Sequence, residues 1–103
     1  MQDDPDLRRM LWHLLGGTRG GENRARILRH LRSRPSNLNQ VAKSLGLDYN
    51  AIEHHVKTLR KNNLLIASGE RYGMTYFLSP WLDGHYEIFE EVCRGLRYQF
   101  EDK

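Results

Sequence analysis

Residues 48–63, D-Y-N-A-I-E-H-H-V-K-T-L-R-K-N-N, set two carboxylates and two imidazoles beside three cations. Glu53, His54 and His55 have the chemistry of a metal site or an acid–base cluster, but only if they share a face. At about 100° per residue, Val56, Leu59 and His55 fall within about 60° of Ile52 and form the side a core would take. Asn50, His54, Lys57 and Lys61 gather within about 40° of the opposite direction, with Glu53 and Arg60 on the flank. The two imidazoles therefore diverge by about 100°, whereas gripping one ion from one helix takes an i, i+4 pair as in H-E-x-x-H. His55 is expected at the core edge with its ring hydrogen-bonded, and His54 outside. An amide, an imidazole and two ammonium groups without an acid among them suit base edges and phosphates in a major groove.

These side chains need a helix, and the helix needs support. Asp48 caps it, and it continues to about residue 62 or 63. Before it, Asn37 and Gln40 have capping-box spacing, Leu38, Val41, Ala42 and Leu45 are apolar, and Gly46 suits a left-handed helix end. A short helix, a glycine turn and a second helix form a helix-turn-helix arrangement, whose second member enters the major groove. Upstream, Asp4-Pro5 starts a helix with Leu7, Leu11, Leu14 and Leu15 on one stripe. G-G-T-R-G-G reads as a flexible connector. The next helix turns Ala25, Ile27, Leu28 and Leu31 inward and Arg26, Arg29, His30 and Arg32 mostly outward, until Arg34-Pro35 stops it. Downstream, L-L-I-A-S, G-E-R-Y-G and M-T-Y-F-L-S read as strand, turn, strand. Ser79-Pro80 opens a last helix to about residue 98, with Leu82, Tyr86, Phe89, Val92, Cys93, Leu96 and Phe100 on its apolar stripe. The expected class is mainly α with a small β-hairpin, a helix-turn-helix in the order α-α-α-α-β-β-α, as one domain over residues 1–103.

The 103 residues carry a net charge of +3, distributed unevenly. Residues 19–71 hold eleven Lys and Arg against four acids, while both flanking segments are net negative. A basic centre between acidic ends suits a polyanion-binding surface. One cysteine, Cys93, precludes an internal disulfide and suits a reducing compartment. No apolar run approaches a membrane span, and the acidic start M-Q-D-D-P-D is unlike a secretory signal, so a cytoplasmic location is expected. Neither a carboxylate pair, a phosphate loop nor a nucleophile with its base is legible, which argues against an enzyme.

N-R-A-R-I-L-R-H-L, L-N-Q-V-A-K-S-L-G-L and A-I-E-H-H-V-K-T-L-R-K-N-N-L-L, followed by the hairpin, together resemble the ArsR-type winged helix-turn-helix transcriptional regulators, especially small archaeal ones. The likeness covers about residues 22–80. It implies a cytoplasmic homodimer that binds an operator in double-stranded DNA and usually represses a promoter. It makes 48–62 the recognition helix, 38–45 the supporting helix and 69–73 the wing, with Arg71 reaching a phosphate or the minor groove and Tyr72 beside it. Helices at about 5–16 and 80–98 would be the dimerisation elements.

Lys43, Lys57, Arg60, Lys61 and Arg71, with some second-helix arginines, are expected to neutralise phosphates. Tyr49, Asn50 and His54 would supply specificity, with Lys57 within reach of a guanine. Asn39 and Gln40, at the start of the supporting helix, are candidates for backbone contact. Some members of the family sense metals. Here Asp83-Gly-His85 resembles half of one such site, but Leu96 and Gln99 stand where the other half belongs. No metal, cofactor or small-molecule effector is therefore expected. The alternatives are a winged helix used for protein–protein interaction and, further off, a metal-sensing repressor.

Overall fold

Asp4 accepts a hydrogen bond from the Leu7 N–H at 3.0 Å and Pro5 stands at the first helical position, so α1 (Pro5–Gly16) begins where its capping chemistry requires. In this computed structural model, which describes residues 3–70 and 73–100, α1 is followed by α2 (Gly21–Ser33), α3 (Leu38–Leu45) and α4 (Tyr49–Lys61). Then come β1 (Leu65–Ser68), β2 (Thr75–Leu78), α5 (Pro80–Asp83) and α6 (Tyr86–Gly95). The strands pair antiparallel, Leu65 opposite Leu78 and Ser68 opposite Thr75. The expected class and order are observed, with the last helix broken in two.

The break has a local cause. The His85 ring nitrogen Nδ1 lies 2.9 Å from the Trp81 carbonyl, the acceptor that a continuous helix would offer to the His85 backbone N–H. That N–H bonds Leu82 O instead, at 3.0 Å. Helical structure then ends at Gly95, short of the expected residue 98. Leu82, Tyr86, Phe89, Val92 and Cys93 are nevertheless all buried, as the apolar stripe requires.

One core joins every layer. Leu7, Leu11 and Leu15 of α1 are fully buried, as are Ala25, Ile27 and Leu28 of α2, Ile52 and Leu59 of α4, and Val92 of α6. The stripe of α1 thus packs against α2 and α6 of the same chain, and it is not available to a partner. Tyr98 donates its hydroxyl proton to Leu15 O, fastening the segment after α6 to the end of α1. Ser36, between α2 and α3, forms a β-bridge with Tyr76 and so ties the helical layer to the hairpin.

The segment G-G-T-R-G-G, expected as a flexible connector, forms the corner between α1 and α2, exposed at Gly16, Gly17 and Arg19 and tight at Gly21. Arg24 is 7% exposed and donates from Nη1 to Leu14 O and to Thr18 Oγ1, both at 2.7 Å. A Cβ on Gly21 would stand 2.1 Å from Leu15 O, so only glycine lets α2 cross the end of α1 this closely.

Candidate nucleic-acid interface

Two caps hold the helix pair in place. Asn37 Oδ1 accepts from Gln40 N at 2.8 Å while Gln40 Oε1 accepts from Asn37 N at 2.9 Å, the reciprocal box expected at the start of α3. Gly46 ends α3 at φ +65°, and Asp48 Oδ2 then accepts from Ala51 N at 3.2 Å to start α4. The far end of α4 closes on Asn63 at φ +60°, with Leu64 N bonded back to Leu59 O at 2.9 Å. Ile52, His55, Val56 and Leu59 are buried and orient the helix about its axis.

The opposite face is open. Tyr49, Asn50, His54, Lys57 and Lys61 are exposed along α4, with Tyr49 at 41%. From Asn50 to Lys61 this face extends about 16 Å, three helical turns. Arg60 is exposed on the flank, its guanidinium 5.8 Å from the Tyr76 ring centroid, and a cleft of about 490 Å³ separates α4 from Leu38 and Tyr76. Asn39, Gln40 and Lys43 of α3 are exposed as well. Gln40 uses its amide oxygen in the cap, which leaves the amide nitrogen as its outward donor. Glu53 is exposed on the flank. The expected site residues thus lie on the surfaces of two adjoining helices, except Arg71, which with Tyr72 lies outside the described residues. The wing base is described: Gly69 has φ +109°, and Gly73 N bonds Glu70 O at 2.9 Å.

One expectation about a side chain is corrected. The His55 ring is buried as expected, yet its Nδ1 has no hydrogen-bond partner among the described residues. The ring lies against Gly20, where a Cβ would come 2.7 Å from Cε1. Burial, and then the charges of Arg24 and His54, hold the His55 imidazole below its ordinary pKa. The α2 arginines, some of which are expected to neutralise phosphates, also have partners within the chain. Arg24 fastens the corner, and Arg26 Nη2 donates to Leu45 O at 2.9 Å, capping the end of α3. Arg29 lies 4.9 Å from the Phe100 ring centroid, and Arg32 pairs with Asp83 at 3.1 Å over the ring of Tyr86. Alternation of charge along α2 could not reveal these partners, because all but a few are remote in sequence.

Among the described residues no group of three His, Cys, Asp or Glu side chains gathers in a metal-binding arrangement. Asp83 faces Arg32 and His85 faces Trp81 O. Burial raises the Cys93 thiol to about 11, which keeps it protonated and unreactive. No helix among the described residues is long and apolar enough to cross a membrane.

No protein-family model matches the chain, and no curated protein matches it. Solved structures do. HlyU from Vibrio cholerae superposes with a TM-score of 0.65 at 18% identity, covering 94% of this chain and all of HlyU. Mb0332 from Mycobacterium bovis, described as a homodimeric winged helix-turn-helix DNA-binding domain and a possible ArsR-family regulator, gives 0.64 at 15% identity over 98% of this chain and 97% of that one. FabT from Streptococcus pneumoniae, solved in complex with DNA, gives 0.60 at 11% identity over 89% of this chain and 69% of FabT. The chain therefore has the winged helix-turn-helix fold described for Mb0332.

Proposed function

We propose that this protein is a sequence-specific double-stranded DNA-binding transcriptional regulator of the ArsR-like type, acting in the cytoplasm as a homodimeric repressor and without catalytic activity. The observation that carries the reading is the open face of α4, where Asn50, His54, Lys57 and Lys61 stand exposed while Ile52, Val56 and Leu59 anchor the helix beneath. Such a helix slots into a major groove, with amide and imidazole against base edges and ammonium groups against phosphates. Asn39, Gln40 and Lys43 flank it as backbone contacts, and Tyr49 adds an aromatic surface at its start. Arg60 adds charge at the edge, and Arg71 of the wing completes the set. In a two-fold dimer the paired recognition helices meet an inverted repeat about 34 Å, one turn, between half-site centres. The description of Mb0332 as homodimeric and DNA-binding, and the FabT–DNA complex, support this reading by likeness of fold.

The test is selection from sheared DNA of the source genome at moderate salt, followed by gel shift. A regulator retains discrete fragments that share an inverted repeat and binds them at least about a thousandfold more tightly than random duplex. Weak retardation that ignores sequence would instead identify a basic protein-interaction module.

A further inference from the structure

The buried face of α4 carries three aliphatic side chains, Ile52, Val56 and Leu59, and one polar one, His55. An aliphatic residue would pack there without a titratable group. The imidazole is seated on the corner between α1 and α2. Gly20 stands there at φ +82°, and a Cβ on it would meet the ring at 2.7 Å, so the ring lies directly on backbone. The same glycine caps the start of α2, and its carbonyl accepts from Arg24 N at 3.1 Å. The Arg24 guanidinium runs back through the corner to Leu14 O and Thr18 Oγ1. One glycine thus meets both the buried imidazole of α4 and the buried arginine of α2.

Two polar atoms of these side chains, Arg24 Nε and His55 Nδ1, are buried with no hydrogen-bond partner among the described residues. Buried N–H groups go unpaired less often than buried acceptors do, which puts the single proton of the neutral imidazole on Nε2 and a lone pair on Nδ1. In acid the second proton enters at Nδ1, where no acceptor receives it. The charged groups that act on the ring are Arg24 of α2 and His54, whose ring centroid is 5.8 Å away on α4 itself. No carboxylate is among them, and α3 and β1, which also pack on α4, set no charge against the ring among the described residues. Arg19, next to Gly20, is exposed to water. Burial, and then Arg24 and His54, hold the imidazole below its ordinary pKa. An imidazolium here meets a cation in a buried corner, and only separation of the helix from that corner restores its hydration.

We propose that protonation of His55 at Nδ1 unseats α4 from the Gly20–Arg24 corner, so that acid withdraws the recognition face from DNA. The neutral ring keeps the helix docked near pH 7, and docking is lost as pH falls below the ordinary histidine value toward the depressed one. The effect on DNA rests on the reading of α4 given above; the unseating does not. His54, on the outer face, works in the other direction, since a charge gained there in acid adds attraction to phosphates.

The test follows the isotopically labelled full chain by heteronuclear NMR from about pH 7.5 to about pH 5, reading imidazole nitrogens and backbone amides together. The His55 ring should titrate below the ordinary histidine value, and the amides of Gly20, Gly21, Arg24 and α4 should move with the same midpoint. His30 is told apart because it bonds Ser36 Oγ at 3.2 Å, beside the hairpin. In a His54→Gln chain, which removes the opposing charge, affinity for a genomic fragment selected near neutral pH should fall by up to about tenfold per pH unit below that midpoint, the limit for one proton. His55→Gln should abolish the shared midpoint and flatten the affinity; if that variant does not fold, the titration of the native ring still decides. A His55 ring that titrates at the ordinary value, or without moving Gly20, Gly21 and Arg24, overturns the proposal. So does a corner that moves with His55 while affinity in the His54→Gln chain stays flat. Retardation that ignores sequence at every pH would instead fail the DNA reading, and the NMR midpoints alone would then rule on the unseating.

Discussion

Adjacent residues His54 and His55 face opposite environments, and helical period alone separates them: one is exposed and the other 9% exposed. What the period could not convey is that His55 Nδ1 lacks a partner among the described residues, since Gly20, which the ring covers, lies 35 positions away along the chain. Both His30 and His55 are depressed in pKa, chiefly by burial. The folded state therefore binds fewer protons than the unfolded chain once pH falls below the ordinary histidine value. Their contribution to stability is complete near pH 7 and is lost as pH drops toward the depressed values. Guanidinium denaturation at about pH 5 should show a lower midpoint than at about pH 7, and His55→Gln should reduce the difference. Equal midpoints in the native chain would contradict the burial argument. Asp3 and Asp4, lowered by hydrogen bonds from Arg8 and Trp81 respectively, act only below this window. Arg24 is a separate case. It reads as one more cation in a basic stretch, yet its guanidinium satisfies Leu14 O. Arg24→Ala should lower stability by about 1–3 kcal/mol through that orphaned acceptor, measured by the same denaturation. An unchanged midpoint would mean that water replaces the guanidinium without loss.

At the scale of elements, the signals legible in the sequence were local ones. Asp4, Asn37, Asp48 and Ser79 each cap a helix within three residues of themselves, and each does so in the structure. The period change after α4 correctly announced the hairpin. The missed features are non-local or depend on a single competing bond. The Ser36–Tyr76 bridge joins residues forty positions apart, and the break between α5 and α6 turns on one imidazole. The capping box should be worth about 1 kcal/mol, so Asn37→Ala should lower the thermal midpoint by several degrees in a chain of this size. Because α3 supports α4, the same variant should loosen DNA binding less than it loosens the fold. Amide exchange across 38–45 would locate the loss, and unaltered exchange there would contradict the role given to the cap.

For the whole molecule, the charge distribution foretold a basic surface, and the fold divides it. Lys43, Lys57, Arg60 and Lys61 lie on or beside the helix pair, and the α2 arginines line a separate cleft. The apolar stripes of the terminal helices were legible, but their destination was not. They fill the chain's own core, and what α1 leaves outside is Trp12, 40% exposed and close enough to Gly95 that a Cβ there would meet it at 2.6 Å. If the terminal helices dimerise, they do so through this remnant and its polar surroundings. Light scattering should then give about twice the 12.2 kDa of one chain, and Trp12→Glu should shift it toward the monomer. A native chain that stays monomeric at tens of micromolar would exclude two-fold operator binding.

The most direct measurement is the affinity of a selected genomic fragment for the native chain and for a His54→Ala, Lys57→Ala variant, across a series of salt concentrations. Both side chains are exposed, so the variant should keep its thermal midpoint. It should bind about tenfold or more weakly, with a salt slope shallower by about one for the lost phosphate contact of Lys57. Native affinity and an unchanged slope in the variant would show that α4 does not carry the recognition surface.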